Sequence, residues 1–215
     1  MALQSRIIRL RNGVIEPSIL AEIAVLLRAD GVMAYPTDTF YGLGVNAFSA
    51  AAVAKIYALK RRDRGKPLSI VVADPAQARS AARDLPPALE ILARAFWPGP
   101  LTLVLNAAPA FPAEMLGAGG TIALRVPALP WLCDLLGRAG FPLTATSANL
   151  SGEGELDDPE AVRRLFKGRT DLIIDGGRTP GGAPSTIVDL TGGAPRLLRP
   201  GAIPWDRILA AIKDR

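Results

Sequence analysis

The sequence predicts an α/β fold in which helices cover the faces of a mixed, twisted sheet. Three observations lead to this fold class. Stretches with helical apolar spacing alternate with short apolar runs that are typical of buried strands. The alternation keeps no strict strand–helix–strand rhythm, so a uniformly parallel sheet is not expected. Two late strands, at residues 185–190 and 196–199, are separated by a Gly-rich connection, which predicts a hairpin.

Length and composition favour one domain over residues 1–215, with a hydrophobic content of 49% that is ample for a large core. The apolar runs are shorter than the roughly 20 residues that a membrane span needs, so no membrane contact is expected. Residues 1–11 are Arg-rich but lack the apolar region of a signal peptide, which favours a cytoplasmic protein. The single Cys133 excludes a disulfide framework within the chain and a multi-cysteine metal site.

Up to residue 105, the elements follow from caps, apolar spacing and turn residues. A helix is predicted at residues 17–28, where apolar residues recur at helical spacing and Gly31 provides a stop. Ser49 caps the alanine-rich helix that follows it, and Asp74 with Pro75 begins another. Residues 36–44 are interpreted as a hydroxyl-rich loop with two glycines. The other predicted elements are a helix at 87–96, a hard turn at 97–100, and strands at 7–10, 31–35, 68–73 and 101–105.

Apolar spacing, caps and turn residues also predict the elements of the second half of the chain. Residues 121–125 alternate, so Ile122 and Leu124 should share one face while Arg125 lies on the other. Residues 146–152 are a run of small polar residues whose composition suits either a phosphate-binding turn or a plain Ser/Asn/Gly turn. The remaining predicted elements are an irregular connection at 109–120, helices at 130–138, 158–166 and 204–212, and strands at 142–145 and 172–175.

The sequence contains no histidine, and this absence restricts the possible chemistry. It removes Ser-His and Cys-His nucleophile arrangements, imidazole zinc sites and the usual general base at neutral pH. Any reaction must therefore use cations, hydroxyls, backbone amides, carboxylates or a metal held by oxygen. The formal net charge of +5 favours an anionic partner, such as a nucleotide, an RNA or an acidic metabolite, without distinguishing among them.

Residues 60–66 hold five cations and one acid before the chain turns into an apolar run at Leu68. Lys and Arg suit a helix C-terminus, so this stretch could be a solvated helix end. A rigidly mounted cationic loop could equally bind phosphates or carboxylates. The local sequence favours neither reading.

Read together, the loop motifs resemble one family, the YrdC-like L-threonylcarbamoyladenylate synthases, in its single-domain form. The motifs stand in the family's order and cover nearly the whole chain, which makes the resemblance specific. They are YPTDTFYGLG at residues 35–44, Lys60 and Arg62 with KPL at 66–68, WPGPLT at 97–102, TIALRVP at 121–127, SANLSG at 147–152, PSTIVD at 184–189 and LRPG at 198–201.

The resemblance implies a mixed sheet around a large, positively charged cavity, and a reaction that joins L-threonine, bicarbonate and ATP into threonylcarbamoyl-AMP for tRNA threonylcarbamoyladenosine modification. Mg²⁺ is implied as a companion of ATP, with no metal ligands assigned to the protein. The resemblance also implies roles for particular residues: Lys60, Arg62, Ser147 and Asn149 in catalysis; Thr39, Arg125, Ala145 and Ser185 in binding L-threonine; and Arg62, Lys66, Thr121, Ser147 and Arg199 in binding ATP. Lys60, Arg62 and Lys66 are expected to face the ligand, and Arg61 and Arg64 to face solvent or RNA.

Two positions depart from the family pattern. Asp63 follows Arg62 where many relatives have Pro, and Val71 stands where some have a His. A non-catalytic module that binds tRNA or double-stranded RNA through the same basic surface remains the alternative. Such a module should tolerate Ala at Thr39 and Ser147, because lone hydroxyls add little to a phosphate-driven footprint.

Overall fold

The computed structural model describes residues 4–213, in which two mixed sheets and their covering helices share one continuous fold. The prediction of one domain over residues 1–215 therefore includes five residues, 1–3 and 214–215, that lie outside the described part. The helices are α1 (Pro17–Arg28), α2 (Ala50–Lys60), α3 (Pro75–Ser80), α4 (Pro87–Phe96), α5 (Pro130–Ala139), α6 (Pro159–Phe166) and α7 (Trp205–Lys213), with a short 3-10 helix at Ala113–Met115. The strands are β1 (Arg6–Arg9), β2 (Met33–Pro36), β3 (Tyr41–Gly44), β4 (Ile70–Val71), β5 (Ala82–Arg83), β6 (Leu101–Ala107), β7 (Thr121–Arg125), β8 (Leu143–Thr144), β9 (Thr146–Ser147), β10 (Leu172–Asp175), β11 (Thr186–Asp189) and β12 (Arg196–Arg199).

The first sheet has the order β1-β10-β2-β3-β9, with parallel pairs on the β1 side and antiparallel pairs around β3. The second has the order β12-β11-β6-β7-β4-β8, and β5 pairs with the far end of β6. Both sheets combine parallel and antiparallel pairs. The predicted mixed α/β class is confirmed, although the strands divide into two sheets.

Each face of the first sheet packs against its own core. Along β10, Leu172 and Ile174 pack with α1 and α5, whereas Ile173 faces the larger core shared with the second sheet. Successive side chains of a strand point to opposite faces of the sheet, so β10, which is covered on both faces, contributes to both cores. The two sheets meet where β8 ends and β9 begins, separated by the single residue Ala145.

Two predictions about this region were wrong. Residues 36–44 are not all loop, because β3 occupies Tyr41–Gly44 and pairs with both β2 and β9. The predicted strand at 68–73 contains only the two paired residues of β4. The predicted hairpin of late strands is confirmed, since β11 and β12 are antiparallel partners.

Candidate active site

A cavity of about 220 Å³ opens at the junction of the two sheets. Its wall combines the turn between β2 and β3, the end of the basic loop, and residues of β7, β9, β11 and β12. Three arginines and one glutamate are the charged residues along this wall, as far as residues 4–213 are concerned: Arg62, Arg125, Arg199 and Glu155. Most other polar groups that line it are hydroxyls, which suits an anionic ligand held by cations and short hydrogen bonds.

Arg125 ends β7 and is buried against the cavity. Its Nη1 donates to Asp38 Oδ1 at 2.7 Å, in an ion pair whose side chains are only 9% and 14% exposed. Asp38 Oδ2 has no hydrogen-bond partner within the described residues. The remaining guanidinium donors of Arg125 are therefore held in a fixed direction, which suits recognition of a carboxylate.

Thr37 and Thr39 form a tight hydroxyl turn beside this ion pair. Thr37 Oγ1 donates to Phe40 O at 2.7 Å and accepts from Thr39 N at 3.1 Å. The Thr39 carbonyl accepts from Gly181 N at 2.8 Å, which ties the turn to the loop between β10 and β11. Thr39 Oγ1 lies 3.2 Å from Thr37 Oγ1 and lines the cavity.

Ser185 and Arg199 approach from the β11–β12 hairpin. Arg199 Nη2 donates to Ser185 O at 2.7 Å and to Ser185 Oγ at 3.1 Å, and Ser185 Oγ lies 2.8 Å from Thr102 Oγ1. This cluster links β6 and β12, the two strands that flank β11 in the second sheet, at the cavity wall. Ala145 also lines the cavity, and its N–H donates to Ser69 O at 2.7 Å.

The basic loop divides differently from the prediction. Arg62 lines the cavity as expected, with Nη2 donating to Pro67 O at 3.0 Å. Lys66 is exposed and absent from the wall, and Lys60 is buried behind it. Lys60 therefore points into the protein and not into the cavity, which corrects the expectation for this residue. The ligand contact of Lys66 and the roles of both lysines in the reaction stay predictions. Arg61 and Arg64 are exposed, as expected.

Lys60 lies under the loop that carries Ser147 and Asn149. Its Nζ donates to Ser147 O, to Asn149 O at 2.7 Å and to Asn149 Oδ1 at 2.9 Å. Burial, and to a smaller extent the nearby Arg62 cation, lower the pKa of Lys60 to about 8. Asn149 is itself buried and does not line the cavity, whereas Ser147 does.

Thr121 is not brought to the cavity. It begins β7 and pairs with Asn106, at the end of the strand opposite Arg125. Four residues of extended strand separate the two by roughly 13 Å. Thr121 is absent from the cavity wall, and its predicted contact with ATP stays a prediction.

Three residues of the site were missed in the sequence: Asp38, Tyr35 and Glu155. Tyr35 lies beneath the cavity, where burial raises its pKa, and its ring packs closely over the glycines of β3. Asp38 stands between the two threonines of a motif already selected, so its position was a usable signal. Glu155 lies in an exposed polar loop, where nothing in the sequence separates it from its acidic neighbours.

Metal ligands of the protein itself are sparse. Across the described range, no three or more His, Cys, Asp or Glu side chains gather where they could hold an ion. This donor set fits Mg²⁺ that arrives with a polyphosphate, since Mg²⁺ commonly takes one or two carboxylates plus phosphate oxygens. Glu155 is the carboxylate at the wall that could contribute. None of the helices within residues 4–213 is long and apolar enough to cross a membrane.

The fold and the site define an α/β protein with a polar, arginine-lined cavity between two sheets. The Sua5_yciO_yrdC family model, described as telomere recombination, matches residues 25–201. The chain belongs to this family, which confirms the resemblance inferred from its motifs.

Curated relatives and solved structures agree with this assignment. The chain is 40% identical over 191 residues to the threonylcarbamoyl-AMP synthase of Pyrococcus abyssi, and 40% identical over 194 residues to that of Bacillus subtilis. These alignments cover 89% and 90% of the chain but 56% of either relative, so the chain spans just over half their length. The crystal structure of P. abyssi Sua5 complexed with L-threonine superimposes with a TM-score of 0.88 at 39% identity, covering 96% of this chain and 60% of that one.

Proposed function

We propose that this chain is an L-threonylcarbamoyladenylate synthase, forming threonylcarbamoyl-AMP and pyrophosphate from L-threonine, bicarbonate and ATP. The observation that carries the proposal is the single recess in which Arg125, Ser185, Ser147 and Arg199 meet from both sheets. The product would feed threonylcarbamoylation of tRNA in the cytoplasm.

The first step needs little acid–base help. The threonine amine adds to bicarbonate to give a carbamate with loss of water, and the product carries a carboxylate at each end. Arg125, fixed by Asp38, suits the threonine carboxylate, and the hydroxyls of Thr39 and Ser185 suit its orientation. No histidine is required for this step.

The second step joins anions. The carbamate oxygen attacks the α-phosphorus of ATP, and the bond from that phosphorus to the bridging oxygen breaks to release pyrophosphate. Two unit charges about 4 Å apart repel by about 4 kcal/mol at an effective dielectric constant of 20, so the cations that line the cavity matter. Arg62 and Arg199 suit the phosphates. Glu155 would help to hold the Mg²⁺ that accompanies ATP, and that ion would supply positive charge beside the phosphates.

A non-catalytic RNA module receives less support. RNA backbones are bound by exposed basic surfaces, whereas Thr39, Ser147 and Ser185 line a recess rather than a surface patch. Exposed Arg61, Arg64 and Lys66 could still contact tRNA during transfer of the product.

The proposal is tested by incubating the protein with ATP, bicarbonate, L-threonine and Mg²⁺ and separating the products by chromatography. A threonine-dependent adenylate and equimolar pyrophosphate are expected.

Arg62→Ala should lower the rate at least 100-fold with little change in melting temperature, because the side chain is partly exposed and makes only two hydrogen bonds within the described residues. Arg64→Ala, an exposed cation of the same loop, is the matched control and should retain the rate. Absence of any threonine-dependent product in the wild type would refute the proposal.

A further inference from the structure

The wall beneath Ser147 contains a chain of hydrogen bonds with a fixed direction. It begins at Lys60, whose side chain is 1% exposed and whose Nζ contacts three oxygens of the Ser147–Asn149 segment. A lysine ammonium has three donors and no acceptor. All three donors are used within the protein, so Lys60 offers nothing to a ligand.

Lys60 fixes the orientation of the Asn149 amide. Because a lysine ammonium only donates, the side-chain atom 2.9 Å from its Nζ must be the carbonyl oxygen Oδ1. The other end of the amide agrees, since Asn149 Nδ2 donates to Glu153 O. The amide therefore cannot be reversed without leaving two buried donors facing each other, which costs free energy.

The orientation of Asn149 in turn fixes Ser147. Ser147 Oγ lies 2.6 Å from Asn149 Oδ1, which can only accept, so the serine hydroxyl must donate to it. A hydroxyl has one hydrogen and two lone pairs. Ser147 thus turns its lone pairs towards the cavity that it lines.

We infer that Lys60 is a positioning residue that acts through Asn149 to make Ser147 a hydrogen-bond acceptor towards the cavity. The ligand group that meets Ser147 is then an N–H or O–H donor and not a phosphate oxygen, because an ionised phosphate offers only acceptors. Within the proposed function, on which the identity of the ligand rests, such donors are the threonine amine or hydroxyl and the hydroxyl or amino groups of adenosine. Arg62 and Arg199, which only donate, remain for the phosphates.

Two features support the assignment. Two of the three oxygens that Lys60 contacts are backbone carbonyls, so Lys60 holds the backbone of the loop as well as the Asn149 side chain. A pKa of about 8, set chiefly by burial, keeps Lys60 largely protonated at neutral pH, and all three bonds then persist.

The test measures binding of three probes by calorimetry: L-threonine, adenosine and inorganic tripolyphosphate. Ser147→Ala should weaken either threonine or adenosine about tenfold, the loss of one hydrogen bond, and leave tripolyphosphate within twofold. The probe that weakens identifies the source of the donor. Weaker tripolyphosphate binding with the other two unchanged would overturn the inference, as would no change in any probe.

A second set of variants tests the positioning role of Lys60. Lys60→Met should weaken the same probe as Ser147→Ala, and adding it to Ser147→Ala should cause no further loss for that probe. Lys55→Met removes an exposed lysine of the same helix and should change none of the three probes. Full additivity of the two substitutions would show that Lys60 does not act through Ser147.

The design separates the inference from the proposed function and from misfolding. If the wild type binds tripolyphosphate but neither threonine nor adenosine, both the inference about Ser147 and the proposed function are overturned. If Lys60→Met does not fold, Asn149→Ala replaces it, because it removes the Oδ1 acceptor through which Lys60 acts on Ser147. Asn149→Ala should then weaken the same probe as Ser147→Ala, and full additivity of these two substitutions would contradict the inference.

Discussion

In the ion pair between Arg125 and Asp38, the Asp38 carboxylate fixes the orientation of the Arg125 guanidinium at the cavity wall. Both groups are nearly buried and 2.7 Å apart. Removal of one partner from such a pair leaves a charge without compensation, which costs more than the intact pair gains. Asp38 is therefore expected to matter for substrate binding although it does not line the cavity.

Asp38→Asn tests this expectation. The amide keeps the shape but removes the charge that holds the guanidinium, so the KM for L-threonine should rise about tenfold or more while the KM for ATP changes little. Asp189→Asn is the matched control, since Asp189 is 12% exposed and pairs with Arg196 at 2.9 Å outside the cavity. If both variants change the KM for threonine equally, the effect is general destabilisation and the positioning of Arg125 is not its cause.

Lys60 predicts a pH dependence of stability. Its pKa is about 8 in the folded protein and 10.5 when unfolded, so between these values the unfolded state binds more protons. By linkage, the free energy of unfolding contributed by this group is flat below pH 8 and rises towards pH 10.5, by on the order of 1–3 kcal/mol. Denaturant unfolding of the wild type minus that of Lys60→Met, measured from pH 7 to 10.5, should therefore increase. A difference that is flat or falls with pH would contradict this.

At the scale of elements, the β11–β12 hairpin positions Ser185 and Arg199 through a close backbone approach. A Cβ on Gly201 would lie 2.3 Å from Pro184 O and 2.6 Å from both Ser185 C and Thr186 N. These are backbone atoms, which cannot move aside as the end of a side chain can. Gly201 therefore keeps the end of the hairpin against the segment that carries Ser185.

Gly201→Ala should lower the free energy of unfolding by about 1–3 kcal/mol through this overpacking and raise the KM for threonine by displacing Ser185. Gly192→Ala provides the control in the same hairpin, because nothing lies within 4 Å of its added Cβ. The control should be neutral or slightly stabilising in denaturant melts. Equal destabilisation by both alanines would show that hairpin flexibility, rather than the contact at Gly201, matters.

The elements with local signals were predicted well. Ser49, Asp74 and Asp158 cap their helices with side-chain hydrogen bonds, and the predicted helix at residues 17–28 has the observed limits. β3 was missed because its partners are 5 to 105 residues away, and because its glycines follow hydroxyls that suggest a loop. These glycines are needed for packing: a Cβ on Gly44 would lie 2.8 Å from the Tyr35 ring. Strand β3 forms because of its tertiary contacts, and the local sequence carries no signal for them.

The sequence predicted part of the cavity wall but not the orientation of the side chains around it. The motifs identified Thr39, Arg62, Arg125, Ser147, Ser185 and Arg199, all of which line the cavity. Lys60 was grouped with them because the family resemblance implies a catalytic role for it. Its burial depends on the loop 87 residues later that supplies its acceptors, which no local pattern indicates.

At the scale of the whole molecule, the cavity lies where the two sheets are joined. Thr144, fully buried, accepts from Val45 N at 3.2 Å through its Oγ1 and so connects β8 to the chain leaving β3. Thr39 and Ser147 reach the cavity from the first sheet, and Arg125 and Arg199 from the second. A ligand in this position contacts both halves of the fold.

Ligand binding should therefore stabilise the whole molecule as one unit. At 100 times its dissociation constant, a ligand that binds only the folded state adds about 2.7 kcal/mol. For a chain of this size, that corresponds to a rise of about 5–10 °C in the melting temperature. We expect calorimetric scans with ATP, Mg²⁺ and L-threonine to show one transition shifted upward, and sodium sulfate at equal ionic strength to give a smaller shift. Two separated transitions, with only one shifted, would mean that the ligand contacts a single sheet, and that the residues of the other sheet do not form part of its site.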